Sequence, residues 1–163
     1  MSAALNGKPM PTLDDVYCKF GFVSEAAQLL ETELSNLLFA AGAAEQRLFD
    51  DPNPEAALRL INGINKQTLG RLFHNAKTAV ERLAEVEELL ERAVAARNRL
   101  SHSFYRQHNF RRNTDDGHAI MLKDLESLHD EILNAYRAVM LLSGIDLENP
   151  PPDFEPPTKR VPI

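Results

Sequence analysis

Apolar residues recur along most of this chain at spacings of three and four, in several runs separated by polar or proline-containing breaks. The longest run takes in Val16, Phe20, Val23, Ala27, Leu30, Leu34, Leu37 and Ala41, the stripe of one long amphipathic helix. Thr12 with Asp15 three places later forms a capping box with Asp in place of Glu, so structure is predicted to begin there. Gly21 offers a place to bend, but the phase carries across it. Residues 50–54 break the stripe, with Asn53 as the cap and Pro54 as the first helical residue of a second segment. That segment shows Ala57, Leu60, Ile61 and Ile64 on one face. It is interrupted around Lys66, Gln67 and Thr68, before Leu69, Leu72 and Phe73. From Thr78 a broad stripe of Val80, Leu83, Val86, Leu90, Val94 and Leu100 predicts a long helix reaching Arg106, followed by an exposed polar loop from Gln107 to Gly117. The period restarts over 119–143 through Met121, Leu125, Leu128, Ile132, Tyr136 and Val139, and Gly144 with Ile145 reads as a C-terminal cap.

No segment shows the β-branched alternation of a strand. The predicted class is therefore all-α, a four-to-five-helix antiparallel bundle forming a single domain over 12–145. A flexible leader over 1–11 and an extended, proline-rich tail over 146–163 flank it; the last stretch holds six of the ten prolines, which excludes a helix there. At 163 residues and 44% hydrophobic content, the chain can bury one core. Neither a signal-peptide pattern nor a stretch long enough to cross a bilayer is present, so a cytoplasmic protein without membrane association is expected. Cys18 is the single cysteine, which rules out an internal disulfide and a cysteine-based metal site.

Charge changes the picture more than composition does. The chain carries 18 Lys+Arg against 24 Asp+Glu, yet the segment from Arg92 to Arg112 contains six arginines and no carboxylate. A positive field confined to one surface is enough to attract phosphate even when the net charge is −6. Acidic residues near the start of the predicted helix and basic ones near its end also suit the helix dipole. That accounts for the signs but not for Asn98 and His102. Arg97, Asn98 and His102 form an R-N-x-x-x-H string. At about 100° per residue a helix would present all three, together with Ser101, on one arc. The arc combines a guanidinium fork, an amide, a hydroxyl and the one side chain that titrates near neutrality.

This string, the small Ser101 before its His, the aromatic pair Phe104 and Tyr105 after it and the all-helical setting resemble the HEPN superfamily of small helical domains. Many members are metal-independent endoribonucleases, often toxins of toxin–antitoxin or defence systems, that dimerise with two motifs facing across the interface. The resemblance implies Arg97 and His102 as catalytic residues and Asn98 as their polar neighbour. RNA would be cleaved to 2′,3′-cyclic phosphate ends without metal or other cofactor. It further implies a homodimer and a cognate antitoxin. A subgroup carries a Tyr two places after the His for modification by a partner nucleotidyltransferase; that place is Phe104 here, and the Tyr is one later. Arg99, Ser101, Tyr105, Arg106, Arg111 and Arg112 are the candidate substrate-binding residues. The alternative is a non-catalytic module that binds nucleotide, RNA or a partner protein with the same residues. No metal site is predicted, because His102 and His108 lack the carboxylate or thiolate company that metals need. Ser101 and Ser103 flank His102 without the strand-turn-helix elbow of a serine hydrolase. His74, His118 and His129 read as structural or solvent-facing.

Overall fold

The computed structural model describes residues 10–149; the leader before residue 10 and the tail from residue 150 lie outside the described residues. All regular structure among them is helical: α1 (Leu13–Glu45), α2 (Pro54–Ile64), α3 (Leu69–Ala79), a 3-10 turn (Glu81–Val86), α4 (Glu87–His102), the single turn α5 (Phe104–Gln107), a second 3-10 turn (Arg111–Asn113) and α6 (Asp115–Leu142). No helix among them is long and apolar enough to cross a membrane.

The helix boundaries follow local chemistry. Thr12 and Asp15 close the capping box, the Asp15 amide donating to Thr12 Oγ1 at 3.2 Å and the Thr12 amide to Asp15 Oδ2 at 2.8 Å. The Thr12 amide first, and then the Thr12 hydroxyl, which donates to the same Oδ2 at 2.7 Å, hold the Asp15 carboxyl below its ordinary pKa. Asn53 caps α2 through the Ala56 amide, and Pro54 takes the first helical position. Thr114 caps α6 through the Gly117 amide. At the other end of α6, Gly144 adopts φ 85°, so its amide and that of Ile145 return to the carbonyls of Leu141 and Met140.

Two expectations need correction. The long helix from Thr78 is broken: α3 ends at Ala79, Val80 is extended, and a 3-10 turn intervenes before α4 begins at Glu87. Val80, Leu83 and Val86 are spaced by three, the period of a 3-10 turn, and this turn places Leu83 fully inside the core. Six α-helices result among the described residues instead of four or five. The bundle is also not uniformly antiparallel. Contacts of Lys19 with His129 and of Glu33 with Ser143 show that α1 and α6 lie side by side in the same direction. By contrast, α4 runs against both, as Glu31–Arg97, Asp124–Arg99 and Glu131–Arg92 show. Helices far apart in sequence are free of the direction that a short connection imposes.

The core lies where α1, α4 and α6 meet, around Leu30, Leu34, Leu90, Leu100, Met121, Leu125 and Ile132. Burial of each such side chain stabilises the fold by about 1.5–3 kcal/mol. Phe104 is also buried and stacks against Phe20, which ties the end of α4 to α1. Gly117 fixes the basic turn that follows: a Cβ there would lie 1.9 Å from the Arg111 carbonyl oxygen, so only glycine lets that turn rest on α6.

Candidate functional site

The motif lies in the second half of α4, and the helix divides it. Leu90, Ala93, Ala96 and Leu100 face the core. Relative to that buried stripe, Arg97 and Ser101 sit on the flank toward α1, and Arg99, about 200° from Arg97, sits on the flank toward α6. Asn98 and His102 point away from the core into solvent. The anticipated single arc therefore separates into a half-buried edge and an exposed ridge.

On the α1 flank, Arg97 Nε donates to Glu31 Oε1 at 3.2 Å, and its Nη1 leans toward Asn98 Oδ1 at 3.5 Å. Nη2 has no hydrogen-bond partner among the described residues. A cleft of about 220 Å³ opens beside it, walled by Ser24, Gln28, Glu31, Arg97, Leu100 and Ser101. His102 is exposed, outside the walls of this cleft, and makes no hydrogen bond or ion pair among the described residues. Beyond the end of α4, Tyr105 packs against Tyr17 and Phe20, with ring centroids 6.4 and 5.2 Å apart, and both tyrosines remain partly exposed. Partial burial, then Tyr17, raises the Tyr105 phenol above its ordinary pKa against the lowering effect of Arg112. Arg112 donates to the Tyr17 hydroxyl at 3.3 Å. Arg106 is exposed.

The α6 flank is different in kind. Arg99 makes a bidentate fork onto Asp124, at 2.7 and 2.6 Å, while its Nε donates to Gln107 at 2.7 Å. His108 Nε2 lies 2.6 Å from the same carboxylate, and Arg111 Nη1 lies 3.0 Å from His108 Nδ1. A guanidinium can only donate, so Nδ1 accepts from Arg111 and the ring proton sits on Nε2, facing Asp124. Burial pushes the Asp124 carboxyl upward, but hydrogen bonds from Arg99 and then His108 outweigh that, and its pKa is held below the ordinary carboxylate value.

Of the predicted site residues, then, Arg97 and Ser101 stand on the α1 flank, Asn98 and His102 on the exposed ridge, Tyr105 and Arg112 lie past the helix end against Tyr17, and Arg99 and Arg111 belong to the α6 flank. Several partners were not foreseen. His108, expected in an exposed loop, is 3% exposed; its spacing of four from the buried Phe104, whose ring lies 4.6 Å away, was the available signal. Glu31 and Asp124 had no local signal, since their partners lie 66 and 25 residues away. His118 is likewise buried, with its ring nitrogens against the carbonyls of Pro11 and Arg112. His129 is half-buried and faces Lys19; burial first, then the Lys19 charge, lowers its pKa.

No family model, no curated protein and no solved structure matches this chain. Its function is therefore argued from the residues and their geometry.

Proposed function

We propose that the chain is a HEPN-like, metal-independent endoribonuclease that works as a homodimer, with its catalytic groups on the exposed side of α4. The observation that carries this reading is His102, which is solvent-facing, uncommitted to any described protein partner, and five residues along α4, about 140° around it, from a guanidinium with an open edge. His102 transfers protons to and from the ribose 2′-hydroxyl and the leaving 5′-oxygen, a role worth about 10²–10⁴ in rate. Arg97 stabilises the charge that builds on the phosphorane, worth about 10²–10³ per donor. Asn98 holds substrate or orients His102, and Tyr105 with Tyr17 offers rings on which a base stacks.

Cyclising cleavage needs one proton taken and one given. Each chain offers one free imidazole here, because His108 is buried on the other flank and engaged with Asp124. Two motifs facing across a two-fold axis supply the pair. A toxin or defence role, with a cognate antitoxin that covers this surface, follows from the same resemblance. Purified protein incubated with structured RNA in excess EDTA should give 2′,3′-cyclic phosphate ends that disappear in His102→Ala. Unchanged cleavage in that variant would remove the proposed catalyst.

The Arg97–Glu31 ion pair favours a second reading, a non-catalytic module that binds RNA, nucleotide or a partner protein. A committed arginine is less available to a phosphorane, whereas a bound phosphate can displace the carboxylate without turnover. RNA that binds wild type, requires Arg97 and is recovered intact would select this reading.

A further inference from the structure

The α6 flank of α4 holds a second cleft, of about 390 Å³, lined by Arg99, His108, Arg111, Ile120, Lys123, Asp124 and Ser127. Its charges are unequal in use. Asp124 accepts from Arg99 and His108 at once, so its carboxylate is already spoken for. Three cations stand against that one carboxylate in a chain that is acidic overall. Arg111 gives only one of its donors to His108 Nδ1. Lys123 makes no hydrogen bond or ion pair among the described residues. Ser127 lies one turn further along α6 from Lys123, on the same face.

The cleft is built, not incidental. His108 is 3% exposed and fixed at both ring nitrogens, so Arg111 is held by a rigid ring rather than by solvent. The Arg111 backbone rests on Gly117, where no side chain fits. A fork of free donors, an ammonium and a hydroxyl around a satisfied ion pair is the donor set of a phosphate site. We propose that this cleft binds a phosphate group, with Arg111, Lys123 and Ser127 as its ligands and the Arg99–Asp124–His108 network as the frame that aims Arg111. The site is distinct from the Arg97–His102 side and needs no cleavage to operate. Arg99, anticipated as a substrate contact, is a positioning residue in it.

The phosphate can come from an RNA backbone or from a free anion, and two probes separate them. Full-length protein in EDTA is titrated with inorganic phosphate and, separately, with a short single-stranded 2′-O-methyl RNA that lacks terminal phosphates and has no free 2′-hydroxyl to cyclise. The Arg111 Nε and the Lys123 and Ser127 amide resonances are followed by NMR. A saturable shift of these signals is expected, with affinity falling roughly two- to fivefold in each of Arg111→Gln and Lys123→Gln. Shifts with the RNA assign the site to a backbone diester, and shifts with inorganic phosphate alone assign it to a free anion; either supports the proposal. No saturable shift with either probe, or affinities undiminished in both cleft variants, would overturn it. Because binding is read at the cleft itself, an RNA-cleavage assay that fails leaves this result intact.

Discussion

Arg97 and Arg99 are two residues apart on one helix and live in opposite circumstances. Arg99 spends its whole fork on Asp124 and its Nε on Gln107, within a network that continues through the buried His108. Arg97 makes one ion pair at 3.2 Å and otherwise faces a cleft, beside Asn98 and His102, which face solvent. A fork that is fully used serves the fold. One that is partly used can exchange its partner for a ligand, since a single monodentate ion pair, its side chains 23% and 28% exposed, is worth only about 1 kcal/mol. The same residue type thus does structural work on one flank and is available for chemistry on the other.

The largest effect that would sharpen this contrast is on activity. His102→Ala should lower RNA cleavage by about 10²–10⁴ while changing stability by less than about 0.5 kcal/mol, because the side chain is exposed and unpaired. A parallel loss of folding in denaturant titration would show that the open flank is structural after all. Next comes Asp124→Asn, which removes the charge that both Arg99 and His108 address. A loss of about 2–3 kcal/mol is expected by urea unfolding, and a loss under about 0.5 kcal/mol would mean the network contributes no more than a surface pair.

Acid should act on Asp124 and on His129, which faces Lys19 between α1 and α6, in different windows. The Asp124 pKa is depressed in the folded state, so its contribution to stability is full above the ordinary value of 3.8 and fades as pH falls through the lower folded value. His129, also depressed, stabilises fully above 6.5 and loses that contribution as pH falls from there toward its folded value. Unfolding free energies measured across these two windows should show a mild decline near neutrality that His129→Gln removes. A steeper decline at low pH should be the part that Asp124→Asn removes. The smallest effect belongs to Glu31→Gln, expected to cost under about 1 kcal/mol; a larger loss would place Arg97 with Arg99 as a structural arginine.

Much of the fold was legible because its signals are local. The Thr12–Asp15 box, the Asn53–Pro54 start and the Gly144 stop each depend on residues within a few positions of one another, and all three stand where the pattern put them. The break at Val80 was missed because an apolar spacing of three fits a helix stripe and a 3-10 turn equally well. The direction of α1 against α6 was missed for another reason: no short connection links them. Within the site, the sequence arrayed Arg97, Asn98, Ser101 and His102 by helical geometry. It could not say that Glu31 would meet Arg97 or that Asp124 would claim Arg99, since those partners arrive only through tertiary packing.

The difference between the two arginines is tested most directly by thermal unfolding of Arg97→Ala beside Arg99→Ala. Arg99→Ala leaves Asp124 with His108 alone and should cost about 2–3 kcal/mol, which for a domain of this size lowers Tm by roughly 5–10 °C. Arg97→Ala should lower it by less than about 3 °C. Equal losses, or a larger loss for Arg97→Ala, would contradict the assignment of Arg99 to the fold and of Arg97 to chemistry.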